Sequence, residues 1–349
     1  MSSAAVAGPL PAGWLRNPRF DLIFIWVIAG VSVAAGTISQ LGPNFFPIIL
    51  FLDLWLLGYH HVVSTFTRIA FDKSSLLQHR FLVFGLPIIV LAGAFAVADL
   101  IGVWALSSTY LYWQWFHYTR QSWGVSQVYR RKANGLVKEP DWLLKAVIYL
   151  VPLWGILHRS WQAPDTFLMV EVRVIPTPGW LVDAAGLLAM AALAAFSYRR
   201  WQAHARGEGP GAHTQYLISH TLVFLVGYIL IPDLTYGWLT VNVWHNAQYI
   251  LFVWMFNNNR FKGGVIPEAK FLSTISQSRN KIQYFVCCFA ISTTLYFALI
   301  RFSGQILAIG IPSLIVIYQA INFHHYIVDS KIWKVRQRPM QKVLGLAKS

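Results

Sequence analysis

Charge is scarce in this chain of 349 residues: Asp, Glu, Lys and Arg together make up 12% of it, about half the share found in an ordinary globular domain. Hydrophobic residues reach 56% and mean hydropathy is +0.50, which excludes a soluble globular protein and marks an integral membrane protein. Acidic residues are the scarcer sign, 13 against 28 basic, for a net charge of +15. No nucleic-acid motif accompanies that excess, and the basic residues gather in a few loops. Membrane orientation and anionic headgroups explain them, and nucleic acid is excluded as a partner. Cysteine is nearly missing as well. Cys287 and Cys288 are neighbours in an apolar run, which excludes a disulfide framework and leaves no thiolate beside the histidines for a structural zinc or an iron–sulfur cluster. A dinucleotide glycine fingerprint is lacking, so a nicotinamide or flavin reductase would be a separate electron-donor protein. No signal-peptide cleavage pattern precedes the first apolar run, which is expected to stay as a helix.

What is present is a series of apolar stretches. Ten are long enough to span a bilayer, roughly 20–41, 45–68, 81–99, 103–128, 142–158, 179–198, 214–232, 236–257, 281–302 and 305–327. Basic residues follow every second one: Arg68, Lys73 and Arg80, then Arg130 to Lys138, Arg199 to Arg206, Arg260 to Arg279, and Lys331 to Lys348. The intervening loops are nearly neutral. The expected fold is an all-α polytopic bundle of about ten spans with both termini cytoplasmic, in a bacterium in the cytoplasmic membrane. Residues 1–19 form a cytoplasmic N-terminal segment, 20–330 one transmembrane domain, and 331–349 a basic cytoplasmic tail. The longest connections, near 159–178 and 258–280, hold about 20 residues each, too few for a soluble domain. Any chemistry belongs to the membrane part.

Against this background the histidines stand out. Of eleven, His79, His158, His204 and His213 fall in loops or at helix ends. His60 and His61 lie in the second stretch, His117 in the fourth, His220 in the seventh, His245 in the eighth, and His324 with His325 at the end of the tenth. The expected topology, drawn from Lys and Arg alone, puts all seven in the middle or cytoplasmic half of the bilayer. Helical spacing adds polar neighbours on the same faces: Asp53 with His60; Gln114, His117 and Gln121; Asn242, His245, Gln248 and Tyr249; Asn322, His325 and Asp329. A polar group facing lipid without a partner costs several kcal/mol, so these stripes are expected to face a shared interior. Imidazole is the commonest protein ligand for transition metals, and second carboxylates or amides such as Asp53, Gln121, Gln248 or Asp329 would orient the rings. An all-nitrogen and carboxylate set suits iron, as one ion or a pair. Arg68 and Arg120 are expected to pair with Asp53, Asp72 or Asp329, or to catch an acidic lipid head.

The pairs His60–His61 and His324–His325, with His117 and His245 and their nearby Asn and Asp residues, resemble the integral-membrane histidine-cluster oxygenases: fatty-acid desaturases and sterol or carotenoid hydroxylases. That resemblance implies iron held by histidines at cytosolic helix ends, and dioxygen used to oxidise a lipid C–H bond. The chain departs from the family's spacing, because Leu57 and Gly58 precede one pair and Ala320 and Ile321 the other, where the family places a further histidine; ten spans also exceed the usual four. A second resemblance is to the membrane carotene-cleaving dioxygenases, which implies one iron held by four histidines. The expected function is thus a membrane oxidoreductase in which iron, held among His60, His61, His117, His220, His245, His324 and His325, acts with dioxygen on a lipophilic substrate, with Asp53, Arg120, Gln121, Gln248 and Asp329 assisting. Three alternatives stay open. They are a haem-binding electron-transfer protein with two axial histidines, a metal-free acyltransferase using His245 as general base, and a transporter with a His and Asp proton relay.

Overall fold

In the computed structural model, residues 13–306 and 313–346 are described; residues 1–12 of the expected N-terminal segment, 307–312 of the tenth expected stretch and the last three of the tail lie outside them. Each apolar stretch is helical within the described residues. The long helices are α1 (Pro18–Ile38), α2 (Phe45–Ile69), α3 (Phe81–Leu100), α4 (Val103–Lys132), α5 (Asp141–Trp161), α6 (Gly179–Ala205), α7 (211–230), α8 (Leu234–Arg260), α9 (Lys281–Ile306) and α10 (Ser313–Ile332). Six of them, α1, α2, α3, α5, α6 and the greater part of α9, are long and apolar enough to cross a membrane. The other four are of similar length but more polar, and the reason is placement: α4, α7, α8 and α10 carry His117, His220, His245 and His325 on buried faces.

At the centre stands α8, with 20 of its 27 residues buried. It is packed by α1, α2, α7 and the short C-terminal helix Arg338–Val343. Two contacts reach backbone distance and require glycine. A Cβ at Gly36 would fall 1.8 Å from Thr240 Oγ1, and one at Gly237 would fall 1.9 Å from the Gly227 carbonyl oxygen. Small residues of this kind let helices approach where side-chain interlocking replaces the hydrophobic drive that lipid cannot supply. Around this mast, α2 touches α9 and α10, and α10 touches α3 and α4.

Several ends run differently from expectation. α6 continues to Ala205 because Arg200 is 3% exposed rather than solvated. It pairs with buried Glu139 at 2.7 Å and donates to His213 Nδ1, tying α6, α7 and the loop before α5 together. α10 continues to Ile332, so His324 and His325 lie inside it rather than at its end. Between α5 and α6 a small antiparallel hairpin, Thr166–Phe167 with Val170–Glu171, drops Phe167 against Tyr110 and Trp238. Arg159, fully buried, donates to the carbonyls of Gly227, Ile231 and Pro232 where α7 ends, satisfying groups that a helix terminus leaves unpaired.

Four helices contain a π-helical turn: Ile23–Val27, Leu54–Gly58, Phe81–Gly85 and Val226–Leu230. The second governs the site. At its close the Tyr59 amide donates to the Leu54 carbonyl, an i to i−5 bond that inserts one residue into the turn. Everything beyond Gly58 is thereby advanced by one position around α2.

Candidate metal centre

On α2, a regular helix would place Asp53 and His60 on one face. The π turn replaces that spacing of seven with one of eight. Asp53 accepts from the side-chain amides of Asn242 and Asn246 on α8, and it is His61 that turns toward α8, its ring centroid 5.5 Å from that of His245. His60 faces α9 instead, against Phe285 and Phe289. An adjacent pair cannot point the same way on a helix, and the second pair divides likewise. His325 turns inward while His324 stacks on Phe66 and meets the Leu82 carbonyl at 2.7 Å.

Four imidazoles therefore converge from four helices: His61 on α2, His117 on α4, His245 on α8 and His325 on α10. Ring centroids are 4.5 Å apart for His61 and His325, 5.1 Å for His117 and His245, and 5.2 Å for His117 and His325. Ligand atoms of His61, His245 and His325 lie within 4.8 Å of one another, and so do those of His117, His325 and Asp329. The two groups share His325. Six nitrogens among the four rings (both of His61, both of His245, and Nε2 of His117 and of His325) are buried without a hydrogen-bond partner. Each such atom ordinarily costs on the order of 1–3 kcal/mol, and a cation accepting the one lone pair that each neutral ring offers would remove that cost at one nitrogen of each ring. The residues present thus fit a metal ion, with nitrogen and carboxylate donors and no cysteine in either group.

The surrounding hydrogen bonds prepare one ligand in particular. With Asp329 a carboxylate, Tyr249 donates its single hydroxyl proton to Asp329 Oδ1 at 2.7 Å. Thr65 Oγ1, 2.8 Å from that hydroxyl, directs its own proton to it or to the His61 carbonyl at 3.4 Å, and so accepts from His325 Nδ1 at 3.0 Å. His325 must carry its hydrogen on Nδ1, which leaves Nε2 with a lone pair. That nitrogen lies 3.4 Å from Asp329 Oδ2, which is also 3.8 Å from His117 Nε2. Trp333 Nε1 completes the chain by donating to Tyr249 at 3.0 Å. Below this layer Gln114 joins Tyr110, Tyr118, Trp238 and Asn242, linking α4 to the Asp53 group. A void of about 10 Å³ between His61, Asn242, Asn246 and Tyr318 separates the two layers.

The remaining predicted residues have other places. His220 is buried between α7 and α5, its Nε2 3.0 Å from the Ile148 carbonyl and its ring on Phe224, away from the four. Asp53 belongs to the amide layer. Gln248 donates to the Phe24 carbonyl at 2.8 Å. Gln121 lies one turn beyond His117 with its carbonyl oxygen buried and unpaired. Arg120 reaches Tyr149 rather than a carboxylate, Arg68 lies 4.8 Å over the Phe256 ring, and Asp72 pairs with Arg260 at 3.0 Å. Thr65, Tyr326 and Trp333 went unnoticed in the sequence. Only Thr65 carried a signal, four residues beyond His61.

A cavity of about 560 Å³ opens beside the cluster, reaching His117, Tyr249 and Asp329 and lined by Arg120, Gln121 and Gln248. Aromatic residues make up about a third of its lining, Trp113, Phe252, Tyr326 and Trp333 among them. Fold and site together define an all-helical protein with several membrane-competent helices and a buried four-histidine cluster that meets a partly aromatic cavity at His117. Comparison with models of known protein families, with curated proteins and with solved structures gave no match.

Proposed function

We propose that the protein is a membrane-embedded oxidoreductase holding a single iron ion through His61, His117, His245 and His325, and acting with dioxygen on a lipophilic substrate. One observation carries this reading: four imidazoles from four separate helices meet with six unpartnered nitrogens beside a cavity large enough for a small lipid. A single ion is favoured over a pair because both ligand groups need His325, and its free nitrogen offers one lone pair to one ion. Iron suits nitrogen and carboxylate ligands, and when bound it would supply the one-electron chemistry that dioxygen needs to attack an unactivated carbon.

The chain's own residues do the rest. The four rings fix the ligand geometry, and the chain from Trp333 through Tyr249 and Thr65 holds His325 in the ligating tautomer. Asp329 Oδ2 lies beside His117 and His325, either as a fifth ligand or as the acceptor that steadies them. The aromatic walls exclude water and guide an apolar chain along the rings. Electrons come from a separate donor protein. The ten helices would cross the membrane ten times with both termini cytoplasmic, α4, α7, α8 and α10 being polar because they line the interior.

A haem gains less support, since rings whose centroids are 4.5–5.2 Å apart leave no slot for a porphyrin between them. A lone general base at His245 leaves the other three rings without a task. The test is elemental analysis of protein purified from membranes with its metal retained. Iron near one equivalent per chain is expected, and clean, folded protein that neither contains nor takes up a transition metal overturns the reading.

A further inference from the structure

The cavity changes character along its length. Beside the cluster it is walled by aromatic residues, with Arg120 one turn from His117; farther along it meets three cations, Arg131 on α4, and Lys334 and Arg336 on the segment after α10. His117 and Arg131 are fourteen positions apart on one helix, a rise of about 20 Å, so the imidazole end and the cationic end are separated by the length of a long hydrocarbon chain. Asp329 is the sole acidic residue among those lining the cavity, and its oxygens are engaged with Tyr249 and face His117 and His325. Among the described residues, no carboxylate lies within ion-pair distance of Arg120 or of any of these three cations. Arg131 donates to the Val335 carbonyl and Arg120 to the Tyr149 hydroxyl.

Basic residues at a cytoplasmic interface ordinarily face lipid headgroups. Here two separate chain segments bring three of them, Arg131, Lys334 and Arg336, to one end of a cavity whose other end is the imidazole cluster. Resting on the metal-centre reading above, we propose that the substrate is a single-chain amphiphile with an anionic head, carboxylate or phosphate. Arg131, Lys334 and Arg336 hold the head, and the hydrocarbon lies on Phe252, Trp333 and Trp113, with a carbon about 20 Å from the head presented at His117. Guanidinium groups match the planar oxygens of either head, and burial of the chain supplies most of the affinity.

The test is equilibrium binding to the full-length protein in discs of zwitterionic lipid. Radiolabelled palmitate and lysophosphatidate with a palmitoyl chain are compared with hexadecanol, a neutral chain of equal length. At least one anion is expected to bind about tenfold or more tightly than hexadecanol, and which one does so names the head. The double variant R131Q/R336Q should lose the preference while binding hexadecanol unchanged, and R131K/R336K should keep most of it. Equal binding of anion and alcohol, or a preference that survives R131Q/R336Q, overturns the inference. Metal content measured on the same samples separates the two readings. Metal without anion preference removes this inference alone, whereas anion preference without metal removes the metal-centre reading and leaves an anion-selective lipid cavity.

Discussion

Seven helix-borne histidines look alike as letters, yet the structure sorts them by what each ring meets. His61, His117, His245 and His325 meet one another; His60 meets two phenylalanines, while His220 and His324 meet backbone carbonyls. The consequence is a divided mutational response. Alanine at His61, His117, His245 or His325 is expected to drop bound metal from near one equivalent to near none. Alanine at His60, His220 or His324 should leave it within a factor of two, as read by elemental analysis on protein of verified fold. Removing an orienting partner costs less than removing a ligand. Tyr249→Phe frees Thr65 and Asp329 from their shared hydroxyl, and should weaken metal affinity by about 10- to 100-fold, measured by competition with a chelator. An unchanged affinity in that variant would mean the Thr65 to His325 contact does not set the ring's tautomer.

A single residue's facing is settled by the element that carries it, and α2 shows how. Its π turn at Leu54–Gly58 adds one position between Asp53 and the histidine pair, so the spacing of seven that pointed to His60 describes an α-helix this chain does not make there. The turn contains Leu56, which is exposed on the outer surface. Deleting Leu56 should convert the turn to regular helix and restore a spacing of seven between Asp53 and the residue now numbered His61. Metal binding is then expected to survive. Inserting one alanine after Leu57 instead rotates His61 by about 100° and should abolish it. If the deletion lost metal as completely as the insertion, the π turn would be doing more than adjusting phase.

For the molecule as a whole, membrane-competent helices surround a polar interior. That arrangement explains why, among the described residues, six of the ten long helices are apolar enough to cross a membrane and four are not: a helix such as α8, packed nearly all round by protein, has no need of an apolar surface. If α4 and α8 cross as well, reporter fusions at 101–102 and in 133–140, and at 231–233 and in 261–266, should report opposite sides within each pair. Matching signals within a pair would mean that the helix between them does not cross.

The all-α class, the positions of the long helices and the polar stripes on α4, α8 and α10 were legible in the sequence, because lipid demands apolar length and helical period ties neighbours three, four or seven apart to one face. Asp53, His117, His245 and Asp329 could be singled out on those grounds. The stripe of Asn322, His325 and Asp329 singled out His325 of the second pair, but which member of His60–His61 turns inward was not legible, since it depends on a π turn whose energy is a matter of how α2 packs on α8 and α9. Nor were Trp333 and Tyr326, whose approach to the cluster depends on how α10 packs against α4 and α8. Local periodicity determines which groups share a face; only the packed bundle decides which faces meet, because that choice is made by contacts between residues as much as 264 positions apart, from His61 to His325.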